Sequence, residues 1–471
     1  MRLPIASSAR LAVAAAAVLA TAAVGSAAAL GSTPGHGSAS AGPASARDPG
    51  TLIVHPVAEH IRAGFMAPVP FSDAQCEATF QIDCFVPDQV EAAYNLPALY
   101  HRGITGRGRT IVVVDAYGSP TIANDLLQFD QSQGLGIGTP ALRIVKVGNV
   151  PAFNSSNGDM IGWANETTLD VEYSHAGAPA AKIVLVEVAK EDLKHLALGV
   201  QYAVQHKLGD VITLSWGEPE QDLGRKLVSS YSSIFSQAAS KHITIVASSG
   251  DSGASGQENN GSYYRYPVAS WPATSPYVTA VGGTKLNLNS SGVRNGLDAA
   301  WNDTYSTAVN DFFFGSDGPN PLATGGGKSA YDGRPSYQSG VRGITGGQRG
   351  IPDISMSASC SVAVNVFETF TGGQGGWTAS CGTSESAPMF AAVVALADQE
   401  AGHSLGLLNP ALYALAASHA PGIVRVASGN NTVSFSGHTV HGYSVKRGYN
   451  LVTGLGTVNG KYLVPELARS A

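Results

Sequence analysis

The chain has 471 residues, of which 44% are apolar and 13% are charged, and its formal net charge is −6. This composition is typical of a globular protein with a sizeable core and excludes a mainly disordered chain. The negative balance and the scarcity of basic clusters argue against nucleic acid or an anionic membrane as a partner. We therefore expect no stable membrane association, and we also expect a monomer.

The N-terminus has the three-part layout of a secretory signal. Arg2 and Arg10 precede an Ala, Leu and Val run that ends in small residues, which predicts a signal peptide over residues 1–29 and an extracellular protein. The alternative is a membrane anchor, which the short apolar run disfavours.

The next segments are poor in core-forming residues. Residues 30–50 are mostly Gly, Ser, Ala and Pro, which predicts a disordered linker or the remnant of a pro-segment. Order is expected from about Leu52. We assign residues 51–88 to an N-terminal extension, a short or absent prodomain, and residues 89–471 to the main domain.

Four cysteines in an exported chain suggest two disulfides. Cys76 and Cys84 are close in sequence and are the easier pair to assign, which leaves Cys360 and Cys381 for the second bond. Three pairings are possible, and the sequence alone does not choose among them.

The fold class follows from alternating strand and helix patterns. The patterns for helices cover 192–206 and 221–241. The apolar, β-branched runs are 110–115, 182–188, 210–216 and 242–249. Such runs are typical of strands buried on both faces, so we predict a doubly wound α/β domain with a mainly parallel sheet and helices on both faces. Residues 253–376 are rich in Gly, Ser, Asn and Tyr and predict long loops and short strands.

Ser384 lies in Cys-Gly-Thr-Ser-Glu-Ser-Ala-Pro, directly before the apolar run that begins a helix. A serine there is either a helix N-cap or a nucleophile whose developing anion the helix N-terminus stabilises. A nucleophilic hydroxyl needs a base. The best-placed histidine is His175, which we interpret as an exposed or capping residue, so the histidine route is weak.

Carboxylates offer another base. Glu166 and Asp170 are one helical turn apart, with β-carbons roughly 5 to 6 Å from each other. If that face is buried, the pair retains one proton and one member can act as a base at acidic pH. The alternative is a solvated helix face that also carries Glu172. Asp115 and Asp251 each follow a predicted strand, where an aspartate is either catalytic or a turn former.

Three of these motifs together resemble the sedolisins, or serine-carboxyl peptidases. They are Asn-Glu-Thr-Thr-Leu-Asp, Ser-Ser-Gly-Asp-Ser-Gly-Ala and Cys-Gly-Thr-Ser-Glu-Ser-Ala-Pro, in the family's order. The resemblance covers about 92–467 and implies a subtilisin-like fold and an acid-active endopeptidase. It implies that Ser384 is the nucleophile, Glu166 the general base and Asp170 the acid that supports it. Asp251 would be the protonated oxyanion-hole donor.

The resemblance also has implications for residues outside these four catalytic positions. It places Asp115 and Trp216 in a hydrogen-bond network behind the acid pair. It also implies a large folded prodomain, whereas only about sixty residues separate the predicted signal from the catalytic pattern here.

The family usually binds calcium near the C-terminus. Here Arg425, Lys446 and Asn450 occupy ligand positions, and both carboxylates of the family pattern are gone. A hard divalent ion needs anionic oxygen ligands, so we predict no cofactor and an empty site.

These observations favour a secreted acid endopeptidase that acts on proteins or peptides through an acyl-enzyme. Two alternatives are a catalytically silent, secreted binding protein on the same fold and a histidine-dependent esterase or lipase. The first would not need all four predicted catalytic residues. The second lacks the Gly-x-Ser-x-Gly elbow.

Overall fold

The structure, a computed structural model, describes residues 48, 50, 52–57, 59–60, 66–135, 142–289, 292–315, 318–371 and 375–470. The predicted signal peptide and nearly all of the predicted linker lie outside these residues. Within them, no helix combines the length and the apolar character that crossing a bilayer requires.

The strands are β1 His55–Pro56, β2 Glu59–His60, β3 Asp83–Phe85, β4 Thr110–Ala116, β5 Leu142–Val147, β6 Lys182–Val188, β7 Val211–Leu214, β8 Trp216–Pro219, β9 Thr244–Ser248, β10 Ser270–Trp271, β11 Thr279–Lys285, β12 Ala299–Ala300, β13 Gly327–Gly333, β14 Gln348–Ile351, β15 Ile354–Ser357, β16 Val362–Glu368, β17 Gly376–Cys381, β18 Ile423–Val424, β19 Val433–Phe435, β20 His438–Val440 and β21 Thr457–Val458.

The α-helices are α1 Asp73–Phe80, α2 Pro87–Ala93, α3 Pro97–Tyr100, α4 Ile122–Gln133, α5 Gly158–Gly177, α6 Leu193–His206, α7 Glu220–Ser240, α8 Thr307–Val309, α9 Arg342–Thr345, α10 Thr383–Ala401, α11 Asn409–Ala417 and α12 Gly460–Arg469. A short π-helix covers Asn310–Phe314 and a 3₁₀-helix covers Ser336–Val341.

The central sheet confirms the predicted fold class. In the described part of the chain it has ten strands in the order β18-β21-β15-β11-β9-β7-β4-β6-β5, with β12 paired to β11. The neighbours from β21 to β5 are parallel, and apolar clusters cover both faces. β4 lies inside the sheet, with β6 and β5 on one side of it and β7 and β9 on the other, so the direction in which the chain adds strands reverses at β4. In such sheets ligands bind at the carboxyl ends of the strands near this reversal.

One predicted strand is wrong in its extent. The run 210–216 breaks at Ser215, so that β7 ends at Leu214 and Trp216 begins β8 in a separate antiparallel sheet with β1 and β10. The break turns the backbone of Ser215 away from the central sheet. That residue becomes part of the candidate site described below.

Residues of the predicted N-terminal extension pair with strands of the main domain. β3 is parallel to β16, and β1 is antiparallel to β8. The disulfides are Cys76–Cys84 and Cys360–Cys381, with Cα atoms 5.8 Å and 5.0 Å apart, as the sequence suggested.

Candidate active site

Ser384 is the second residue of α10, a helix that is buried from Thr383 to Asp398. The residue before the helix, Gly382, has φ of 117°, a conformation that side chains other than glycine's rarely adopt. The chain therefore turns sharply from β17 into α10. This turn sets Ser384 in the first helical turn, where backbone N–H groups are not used within the helix.

Glu166 and Asp170 lie on α5, which begins after Asn157, whose side chain accepts a hydrogen bond from Met160 N at 3.0 Å. Both carboxyls are fully buried, and so is Glu172. The solvated-face interpretation of this helix is therefore wrong. α5 packs against α10 beneath the sheet, so its acidic turn faces the protein interior.

Ser215 connects the nucleophile candidate to the acid pair. The Ser384 hydroxyl donates to the Ser215 carbonyl at 3.4 Å, which is a long hydrogen bond, and the Ser215 hydroxyl donates to Asp170 Oδ1 at 2.6 Å. The sequence analysis missed this residue. Its only signal was its place at the end of a predicted strand.

Burial is the main cause that raises the pKa of Glu166 well above its ordinary value, and the neighbouring charges of Asp170 and Asp115 raise it further. The Ser384 hydroxyl opposes this rise in the pKa. No hydrogen bond of normal geometry reaches either Glu166 oxygen from the described part of the chain. Glu166 therefore lies near the Ser384 hydroxyl, and its buried oxygens can accept a hydrogen bond or a proton from it.

Asp170 and Asp115 complete a cluster of buried acids. Burial, and then the charge of Asp115, raise the pKa of Asp170 well above its ordinary value, while the Ser215 hydrogen bond lowers it. Burial raises the pKa of Asp115 to about 7, and the Thr167 hydroxyl donates to its Oδ2 at 3.0 Å. The charge of Asp115 acts on both Glu166 and Asp170. At acidic pH this cluster holds protons that the same groups would lose in water.

Trp216 is fully buried, but its one donor, Nε1, is directed elsewhere. It donates to the Val114 carbonyl at 2.8 Å and reaches no carboxyl. Trp216 therefore holds β8 against β4 and supports the site through the backbone.

Asp251 follows β9 and is held beside the nucleophile candidate by Thr383. Its Oδ1 accepts hydrogen bonds from Thr383 N at 2.9 Å and from Thr383 Oγ1 at 2.7 Å. Asp251 is 9% exposed, so it lies at the border between the interior and the cleft. Thr383 is a second residue that the sequence analysis missed, although it adjoins Ser384.

His175 is buried, which corrects the expectation of an exposed or capping residue. It lies in the last turn of α5, and its Nδ1 is 2.8 Å from Asp130 Oδ1. The pair is a local contact between α5 and α4. This contact accounts for the burial of His175, and no catalytic role is needed to explain it.

Because several carboxyl groups are buried, the free energy of unfolding is expected to depend on pH. Burial raises the pKa to about 8 for four carboxyls outside the acid pair: Glu91, Glu368, Glu385 and Asp398. Between about pH 4, the unfolded pKa, and pH 8 the native state therefore binds more protons than the unfolded state. The free energy of unfolding is expected to fall as pH rises through this interval, by about 1.4 kcal/mol per group for each pH unit at most.

Thermal unfolding at pH 4, 6 and 8 measures this effect, and we expect the highest Tm at pH 4. Glu91→Gln removes one titrating group and should flatten the decline. A Tm that rises from pH 4 to pH 8 would contradict the assignment.

Two of the three predicted calcium-site residues lie together and are cationic. Arg425 and Lys446 line one hollow with Arg447. Asn450 lies in a neighbouring turn, where its side-chain oxygen accepts hydrogen bonds from Val452 N and Thr453 N. Within the described residues, no group of three His, Cys, Asp or Glu side chains could hold a metal ion. These residues do not fit a hard divalent cation.

We expect purified protein to contain less than about 0.1 calcium per chain, and chelator to leave its Tm unchanged within about 1 °C, since no anionic ligand set exists here. Elemental analysis and thermal unfolding with and without chelator measure both. One tightly held calcium per chain would refute this prediction.

This chain is similar to several known proteins. The family model described as the subtilase family matches residues 152–444. Kumamolisin from a Bacillus species is 31% identical over 397 residues, and the match covers 82% of this chain. Tripeptidyl-peptidase 1 from Dictyostelium discoideum is 28% identical over 319 residues, and the match covers 64% of this chain.

A solved structure of Pseudomonas sedolisin, described as a serine-carboxyl proteinase complexed with two molecules of pseudo-iodotyrostatin, matches with a TM-score of 0.65 and 27% identity. The match covers 83% of this chain and 98% of that one. The chain spans only 64% of the length of kumamolisin, 57% of the full sedolisin sequence and 46% of the tripeptidyl-peptidase. By the family match and these relatives, the chain belongs to the subtilase family and, within it, to the sedolisins.

Proposed function

We propose that this protein is a secreted serine-type endopeptidase that hydrolyses peptide bonds at acidic pH through an acyl-enzyme on Ser384. The observation that carries the proposal is the burial of Glu166 and Asp170 next to that hydroxyl, with Ser215 bridging Ser384 and Asp170. Two disulfides are consistent with an exported protein.

In this mechanism the Ser384 oxygen attacks the substrate carbonyl carbon while its proton passes to ionised Glu166. Asp170 is held by Ser215 and stabilises the proton on Glu166. The amine leaves with that proton, and water then hydrolyses the acyl-enzyme by the same proton transfers in reverse. A desolvated carboxylate is a stronger base than one in water, because burial raises its pKa.

Asp251 has a different task. The oxyanion needs hydrogen-bond donors, and a carboxyl donates only while it is protonated. Two hydrogen bonds from Thr383 hold Asp251 beside the nucleophile candidate, where we expect its carboxyl to face the reacting carbonyl. Acidic conditions supply the proton, so we expect activity to fall at higher pH as Asp251 ionises.

Digestion of an unfolded protein between pH 3 and 7 tests this proposal. The wild type should be more active at acidic than at neutral pH, because Asp251 must be protonated to donate, and its activity should fall again at the lowest pH, where Glu166 is protonated and cannot act as the base. An amide donates at every pH, so Asp251→Asn should retain activity about one pH unit further toward neutrality, even if its maximum is lower. A wild-type maximum above neutral pH would contradict the proposal and favour a histidine base.

The mode we propose is endopeptidic. The cleft beside Ser384 already takes six consecutive residues of the chain, 52–57, on one side of the hydroxyl. A peptidase that removes tripeptides needs a barrier after the third residue on that side.

A further inference from the structure

A hollow of about 470 Å³ lies at the C-terminal end of α5, away from the acid pair. The helix ends at Gly177, eleven residues after Glu166, which places its end about 16 Å from that residue along the helix axis. We call this space the α5-end hollow. Its walls include Asp88, Glu91, Pro97, Tyr100, Leu135 and Pro179.

Glu91 is the most buried polar side chain of the α5-end hollow. It is 4% exposed, and no hydrogen bond from the described residues reaches its Oε1. Asp88, by contrast, is exposed, so we place Asp88 at the rim and Glu91 at the inner end. The two are three residues apart on α2, with β-carbons roughly 5 to 6 Å from each other, and can share one cationic group.

The groups that face Glu91 favour a cation beside it. Burial, and then the charge of Asp88, raise the pKa of Glu91 to about 8, while the Tyr100 hydroxyl lowers this pKa. Neither neighbour is a cation. The ionised form of Glu91 therefore has no positive partner among the described residues that act on its pKa.

The end of α5 adds negative potential to the same place. The Tyr100 hydroxyl donates to the Gly177 carbonyl at 3.0 Å, so the last turn of α5 adjoins the hollow. The carboxyl end of a helix carries a partial negative charge that favours cations. The nearest basic residue in sequence, Arg102, is engaged elsewhere, because its Nη2 donates to Glu400 Oε1 at 2.7 Å.

The remaining walls suit an organic cation better than a metal ion. Pro97, Leu135 and Pro179 are apolar and half-buried, and the Tyr100 ring offers an aromatic face. A hard divalent ion needs six or more oxygen ligands. The hollow has two carboxyls, and the described residues hold no group of three His, Cys, Asp or Glu side chains that could bind a metal.

A buried, permanently protonated glutamic acid is the alternative. It would explain the raised pKa of Glu91. It would not explain why Oε1 lacks a hydrogen-bond partner, since buried polar atoms normally have one. An ammonium group in the hollow would supply the missing donor.

We propose that the α5-end hollow binds a primary aliphatic amine in its ammonium form. The ammonium group would lie between Glu91 and Asp88, and its aliphatic stem would pack on Pro97, Leu135 and Pro179. This proposal is independent of the proposed peptidase function, because none of these residues belongs to the candidate active site.

Isothermal titration of the purified protein with pentylamine at pH 6 and pH 8 tests this, with sodium chloride of equal ionic strength as the reference. We expect one site with a Kd on the order of 1 mM at pH 8, which is modest for a ligand of six non-hydrogen atoms. Binding needs ionised Glu91, whose pKa is about 8, so the affinity should be about 50-fold lower at pH 6. Methylamine lacks the stem and should bind at least tenfold more weakly than pentylamine.

Glu91→Gln should weaken pentylamine binding at pH 8 at least tenfold and remove its dependence on pH. The matched control is Glu368→Gln. Glu368 is 5% exposed, burial also raises its pKa to about 8, and its Oε2 likewise has no hydrogen-bond partner among the described residues. It lies on β16, outside the hollow, so this variant should bind pentylamine as the wild type does.

Asp88→Asn keeps the proposal testable if Glu91→Gln does not fold, because Asp88 is exposed. It should weaken pentylamine binding about threefold or more, since one of the two carboxylates is lost. No saturable binding of pentylamine by the wild type up to 20 mM at pH 8 would overturn the proposal. Equal affinities at pH 6 and pH 8, or equal losses in Glu91→Gln and Glu368→Gln, would overturn it as well.

Discussion

Replacing Ser384 with alanine is expected to lower kcat/KM for peptide hydrolysis by about 10⁴-fold or more, because no acyl-enzyme can form without the nucleophile. The substitution removes one hydroxyl, which donates a long hydrogen bond to the Ser215 carbonyl and lies next to the Glu166 carboxyl. Stability should therefore change little. Steady-state kinetics on an unfolded protein or a peptide at pH 4 measures the loss.

Ser386→Ala is the matched control. Ser386 is buried in the same helix, but its hydroxyl donates to the carbonyls of Met356 and Ser357, at 3.2 and 2.7 Å. Losing these bonds should cost about 1 kcal/mol of stability and leave kcat/KM within about tenfold of the wild type. A Ser384→Ala protein that keeps more than about a tenth of wild-type activity would refute the nucleophile assignment.

The second large effect is expected from Glu166→Gln. The amide has nearly the same shape but cannot accept the Ser384 proton, so kcat should fall by about 10³-fold or more, within the range for general-base catalysis. KM should change little because the side chain is fully buried and is expected to act on the hydroxyl. The activity that remains should no longer rise with the ionisation of this residue. Kinetics across pH 3 to 6 measures both.

Glu172→Gln is the control for this substitution. Glu172 is on the same helix and equally buried, but its Oε2 accepts a hydrogen bond from Phe367 N at 3.0 Å. A glutamine oxygen can keep that bond, so activity should stay within about threefold of the wild type. If both variants lost activity equally, the effect would be structural and Glu166 would not be the base.

Much of the fold could be predicted from local pattern. The runs that became β4, β6 and β9 are continuous and β-branched, and α6 and α7 have clear helical spacing. β11 also belongs to the central sheet but was not predicted, because Gly282 and Gly283 weaken its strand pattern. These glycines are needed for packing: a Cβ at Gly283 would meet Trp301 and Ala358 at under 3 Å.

The site was predictable in its motifs but not in its connections. Glu166 and Asp170 are four residues apart, which suits a solvated face as well as a buried pair, and only the packing of α5 against α10 decides between them. The positions of Ser215 and of residues 52–57 depend on contacts between residues far apart in sequence. No local pattern contains that information.

The central claim is that a buried carboxyl replaces imidazole as the base for Ser384. Its most direct test is the rate of acyl-enzyme formation, measured by acid quench and mass spectrometry after mixing with an activated peptide ester at pH 4. We predict an acyl group on Ser384 in the wild type, and formation of that group slowed by about 10³-fold in Glu166→Gln. Acylation of another residue, or equal acylation rates in the two proteins, would contradict the claim.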